Sequence, residues 1–103
     1  PAASAVQAVI TSLLALAKAH DLKPESIAEV RVGLSNGVYD MHGTLDWNDK
    51  FKALLSMPYI TAVVLHDRAC WLDQFEPGRV KDKAVDTFAR ERVKDWPSRT
   101  LPA

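Results

Sequence analysis

Ser56-Met57-Pro58-Tyr59-Ile60-Thr61-Ala62-Val63-Val64-Leu65 is the stretch that decides the architecture. Ser56 and Pro58 are start signals for a helix, and the body from Ile60 to Leu65 is apolar on every side. A helix without a polar face belongs at the centre of a core, with the other elements laid around it. Just upstream, Asn48 is placed to cap a helix through Phe51, Ala53, Leu54 and Leu55. Downstream, Cys70 to Phe75 forms an apolar-rich connector that Glu76-Pro77-Gly78 breaks. Ala84, Val85, Phe88 and Ala89 then mark an amphipathic helix, and Arg92 to Trp96 a last strand.

The amino-terminal half supplies the remaining layer. Val6, Val9, Ile10, Leu13, Leu14 and Ala17 recur at helical spacing, with Ser4 available as N-cap and His20-Asp21 near the exit, which predicts a helix of about four turns. Pro24-Glu25-Ser26 reads as a short turn, and Val30, Val32 and Leu34 alternate with Arg31 and Gly33 in the period of a half-buried strand. Ser35-Asn36-Gly37 is a turn signal, because Asn and Gly tolerate positive φ, and Val38 to Met41 is then a returning strand that His42-Gly43-Thr44 interrupts. The expected fold class is α+β: one small domain over residues 1–103, in which a few-stranded, mainly antiparallel sheet packs against helices.

A chain of 103 residues with 48% apolar and 25% charged content matches one ordinary domain. Lys plus Arg equals Asp plus Glu at 13 each, so no cationic excess draws it to nucleic acid or anionic lipid. Its mainly apolar stretches, Ala5 to Ala17 and Ile60 to Leu65, fall short of the ~20 residues that a membrane helix needs, so a soluble protein is expected, and the expected location is cytoplasmic. Cys70 is the only cysteine, so no internal disulfide is possible, and a lone thiol in an apolar run reads as a packing group. Pro1 without an initiator Met, and Pro102-Ala103 without a closing element, read as the ends of a fragment or processed product.

Taken by themselves, the polar residues give little chemistry. His20, His42 and His66 are far apart and none stands at the i, i+4 spacing of a helical zinc pair, so no metal site and no cofactor are expected. Ser56, His66 and Asp67 have the residue types of a hydrolytic triad but lie along one buried segment, where convergence from different elements is required. Pro1 lacks the strand that an amino-terminal proline base needs directly behind it. The stretch from Arg79 to Lys94 mixes charges, with Asp86 and Arg90 at i, i+4, and reads as a solvated helix face. Trp47, Trp71 and Trp96 read as core or domain-interface packing.

Two stretches nevertheless carry a family signature. Leu22-Lys23-Pro24-Glu25-Ser26-Ile27-Ala28-Glu29-Val30-Arg31-Val32 resembles the "kPedIaeVrV" approach to the lid sheet of the MmgE/PrpD family, which is of the 2-methylcitrate dehydratase and cis-aconitate decarboxylase type. Ser56 to Leu65, followed by Leu72-Asp73-Gln74-Phe75, resembles its "SlPYavAvaL" and "LdqF" motifs in the same order. Lys81-Asp82 to Val85 resembles the "D-x-x-V" start of the next helix, so the resemblance covers nearly the whole chain.

The resemblance implies the carboxyl-terminal lid of a lyase or isomerase that pairs a large helical domain with a smaller α+β lid. It implies dehydration, decarboxylation or epimerisation of small polycarboxylates at the cleft between them, without a metal. Tyr59 matches the family's active-site tyrosine, able to donate to a substrate carboxylate. Ser4 and Gln7 fall at the start of the first helix, whose unpaired N–H groups and dipole suit an anion. Gln7 stands where many members have histidine, and it cannot trade protons. The lysine of the family's "K-x-x-P" approach would lie before Pro1, so the chain alone is expected to be inactive. Arg68 stands at a helix-ending glycine of the family, with a cost of about 1 kcal/mol if the left-handed turn is kept. The alternative is a non-catalytic α+β module that binds a partner chain or self-associates as a homo-oligomer.

Overall fold

The computed structural model describes residues 4–34, 36–37, 40, 47, 50–54 and 56–97. In chain order these form α1 (Ser4–His20), β1 (Val30–Leu34), α2 (Lys50–Leu54), α3 (Met57–Asp67), α4 (Pro77–Val80), α5 (Lys83–Arg92) and β2 (Val93–Pro97), with 3-10 turns at Pro24–Ser26 and Leu72–Phe75.

The apolar segment takes the central place its composition demands. Every residue of α3 from Met57 to Leu65 is buried. Ser56 closes its amino end, accepting the Tyr59 N–H on its hydroxyl at 3.3 Å, and Pro58 occupies the first turn, where its missing N–H costs nothing. Around α3 pack α1, α2, α5 and β2. Val6, Ile10, Leu13 and Ala17 of α1 meet it from one side, and Val85, Phe88 and Ala89 of α5 from another. Val9 and Leu14 flank this stripe, partly buried. Each fully enclosed Val, Ile or Met contributes about 1.5–3 kcal/mol from leaving water, so α3 supplies much of the favourable burial.

The sheet departs from expectation. It has two strands, and they run parallel, with Val30 opposite Val93 and Leu34 opposite Pro97. The expected mainly antiparallel sheet rested on a hairpin at Ser35-Asn36-Gly37. Instead Asn36, Gly37 and Asp40 are helical, so the chain leaves β1 into helices; Val38, Tyr39, Met41 and His42-Gly43-Thr44 lie outside the described residues. A parallel partner requires a long crossover, and the connection through α2 to α5 is one. β2 follows α5 with no intervening residue. The alternation in β1 does hold, with Val32 and Leu34 buried and Arg31 and Gly33 exposed.

Helices α1 and α3 end left-handed, at Asp21 (φ 47°) and Arg68 (φ 52°). The two ends are joined: Arg68 Nη2 donates to Asp21 Oδ1 at 2.7 Å and to the Leu22 carbonyl at 2.8 Å. Among the described residues, no helix is long and apolar enough to cross a membrane.

Candidate functional site

Tyr59 lies in the first turn of α3, wholly enclosed. Its ring sits between Trp47 and Phe75, with centroids at 6.1 and 6.0 Å in tilted arrangements. Its hydroxyl donates to the Gln74 main-chain carbonyl in the turn Leu72–Phe75. Burial pushes the phenol well above its ordinary pKa, so the group keeps its proton. That proton is held by Gln74, and donation to a substrate carboxylate requires the bond to exchange.

The turn that receives this proton is itself fixed by polar groups. Gln74 Oε1 accepts the Trp71 N–H at 2.8 Å, and Gln74 Nε2 donates to Asp67 Oδ2 at 3.3 Å. Arg79 grips the same carboxylate with two bonds, Nε to Oδ2 at 3.0 Å and Nη2 to Oδ1. A further nitrogen, Arg79 Nη1, lies 3.1 Å from Asp82 Oδ2. Asp82 Oδ1 in turn accepts the Val85 N–H at 3.1 Å and caps α5. The Arg79 and Asp67 side chains are 29% and 21% exposed, so the pair is largely withdrawn from water. Asp67 holds the Arg79 guanidinium still more firmly charged than usual.

The other expected site residues are distributed differently. Gln7 lies exposed on the first turn of α1, next to buried Val6. Ser4 begins α1, and its side chain lies outside the described residues. The Tyr59 hydroxyl meets the Leu72–Phe75 turn. An open groove of about 650 Å³ between the Pro24–Ser26 turn and α5 is lined by His66, Lys83, Thr87, Phe88 and Arg92, but by neither Tyr59 nor Gln7.

Several readings of single residues are resolved. His66 Nδ1 lies 2.9 Å from the Ala62 carbonyl and the ring meets Phe88 edge-on, while Asp67 belongs to Arg79, so Ser56, His66 and Asp67 form no triad. Cys70 is half-buried, and burial raises its thiol pKa, which disfavours the thiolate. Trp47 is buried with Arg90 4.5 Å above its ring, and Arg90 also pairs with Asp86 as the spacing predicts. Trp71 is 65% exposed. The Trp96 side chain lies outside the described residues.

Arg79 and Gln74 are the residues that sequence reasoning missed as parts of the site. Arg79 opens the stretch read as a solvated face, yet it turns inward to a carboxylate 12 residues earlier. Gln74 stands inside a recognised motif, but its contribution to Tyr59 is a backbone carbonyl, which no residue type announces.

Comparison with curated proteins finds no relative. The family model of the MmgE/PrpD C-terminal domain matches residues 1–94, and the chain therefore belongs to the MmgE/PrpD family as its carboxyl-terminal domain.

Proposed function

We propose that this chain is the lid portion of a cytoplasmic MmgE/PrpD-type lyase or isomerase, acting on small polycarboxylates by dehydration, decarboxylation or epimerisation. The observation that carries the reading is the family match over residues 1–94, with the Pro58-Tyr59 motif at the capped head of α3. Such reactions pass through a carbanion-like state beside a carboxylate, so the site needs fixed donors that do not reorganise as charge develops. Tyr59 meets part of that need, because its ring is held between two aromatics and its phenol stays protonated, while its O–H has first to leave the Gln74 carbonyl. To serve as donor it exchanges the Gln74 carbonyl for a substrate carboxylate when a helical domain closes over the lid. Gln7 and Ser4, at the amino end of α1, hold a second carboxylate by hydrogen bonds and helix dipole. Acid and base groups then come from the helical domain, and the chain alone is inactive.

The test joins the chain to a helical domain of the family and measures turnover of cis-aconitate and 2-methylcitrate. Activity is expected only in the joined form, and Tyr59→Phe should lower kcat about 100-fold, as loss of a fixed donor does. Turnover by the chain alone, or full activity in Tyr59→Phe, would refute the reading.

A second reading is favoured by one observation, the adjacent Trp71 and Leu72, 65% and 50% exposed. There the chain is a non-catalytic module that binds a partner chain through this apolar pair. The same assay separates the two, since a module gives no turnover in any combination while still binding its partner.

A further inference from the structure

We infer that Asp67 and Arg79 form a positioning unit, which sets where the Tyr59 ring and its hydroxyl oxygen stand, before and after the O–H leaves the Gln74 carbonyl, by holding in place the turn that carries Phe75 and that carbonyl. This rests on the reading of Tyr59 as the lid's donor, and it adds the residues that set where that donor stands.

The hydroxyl donates to the main-chain carbonyl of Gln74, and the ring rests on Phe75 of the same turn. The Tyr59 ring and hydroxyl therefore both meet Leu72–Phe75. That turn has four residues and cannot define its own place through internal hydrogen bonds. The Gln74 side chain closes it onto the Trp71 N–H and links it to Asp67, the last residue of α3. Asp67 and Tyr59 lie on one rigid helix, so a turn fixed to Asp67 is fixed relative to Tyr59.

A carboxylate at a helix end can still rotate, and the guanidinium prevents this. Two bonds from one planar group to the two carboxylate oxygens fix orientation as well as distance, which a single ammonium contact cannot do. Arg79 is braced from behind by Asp82, which is committed to the Val85 N–H. The chain of contacts runs from the amino end of α5 to the phenolic oxygen. A donor displaced by about 1 Å from a reacting group costs on the order of 100-fold in rate, so a unit of this kind acts on kcat.

The decisive substitutions keep the charge or the shape and remove the two-point grip. In the chain joined to a family helical domain, Arg79→Lys and Asp67→Asn are expected to lower kcat about 10-fold with KM nearly unchanged, since the binding groups remain. In a Tyr59→Phe background neither should lower kcat further, because the group they position is gone. Full activity in Arg79→Lys, or losses that multiply with that of Tyr59→Phe, would overturn the inference.

If Tyr59→Phe itself leaves turnover intact, the donor reading fails, and the positioning claim is then decided on the chain alone. With tyrosine labelled at the ring carbon bearing oxygen, the two signals belong to Tyr39 and Tyr59, the only tyrosines, and Tyr59→Phe assigns them. Arg79→Lys is expected to shift the Tyr59 signal while the methyl signals of Val6 and Ile60 stay in place. An unmoved Tyr59 signal overturns the inference, and so does a general loss of the methyl signals, which makes the pair a support of the whole fold.

Discussion

Arg68 shows how one side chain can offset the conformation its own backbone is forced to adopt. At φ 52° it holds the left-handed ending of α3, which disfavours any residue with a Cβ by about 1 kcal/mol or more. The same side chain reaches Asp21 and the Leu22 carbonyl, closing an orphan acceptor just beyond α1. The ion pair is open to water and contributes little, although it holds the Asp21 carboxyl below the usual range. The carbonyl contact is the more valuable of the two. Arg68→Ala keeps the strained backbone and loses both contacts, so it should destabilise the chain by about 1 kcal/mol, whereas Arg68→Gly relieves the strain and should be near neutral. Urea midpoints compare the three chains; an Arg68→Ala protein as stable as the parent would show that the clasp contributes nothing. The left-handed position was legible in the sequence, because Arg68 falls where the family has glycine. Its partner was not, since Asp21 lies 47 residues earlier and no local pattern joins them. The same limit hid Arg79 and Gln74, whose roles depend on a helix end and a carbonyl brought together by folding.

Elements were legible wherever a period or a cap is local. The apolar stripe of α1, the all-apolar body of α3 and the Val85, Phe88 and Ala89 stripe of α5 each follow from spacing within about one to four turns, whereas the Asp82-x-x-Val85 opening of α5 was legible as a resemblance. Strand direction is different in kind, because it belongs to the connection and not to the strand. Val30 to Leu34 would alternate identically in either sense, and Asn36-Gly37 reads as a hairpin until the helical residues after it are seen. The cap of α5 gives an element-scale prediction. The Val85 N–H holds the Asp82 carboxyl below its ordinary pKa, and Arg79 adds to the effect. A carboxylate depressed in the folded state contributes stability above its unfolded pKa of about 3.9, and that contribution is lost as pH falls through the lower folded value. Asp82→Ala should therefore cost about 1 kcal/mol at neutral pH, with the gap to the parent narrowing below about pH 4. Urea unfolding across that range checks this, and a gap independent of pH would exclude a charged cap.

At the scale of the molecule, the burial on α3 is nearly complete while the start of the Leu72–Phe75 turn and the residue before it leave two large apolar side chains outside. Trp71 and Leu72 are 65% and 50% exposed, next to each other and beside the residues that hold Tyr59. Leu16 on α1 is also exposed at 52%, as isolated surface leucines often are. Burying a Trp and a Leu against a second copy gains a few kcal/mol at about 25 cal/mol per Å², whereas association costs about 4–15 kcal/mol in lost freedom. Self-association through this pair alone is therefore marginal. A helical domain that covers the same pair over a wider surface adds further contacts for the same entropic cost and should displace the second copy. Sedimentation equilibrium should show an average mass that rises with concentration for the parent chain. It should stay near the 11.4 kDa monomer for Trp71→Ser combined with Leu72→Ser. Adding a family helical domain should replace the self-associated species by a one-to-one complex that the double substitution weakens. A parent chain that remains monomeric at all concentrations, and binds the helical domain equally well with and without the two side chains, would remove this pair from the interface.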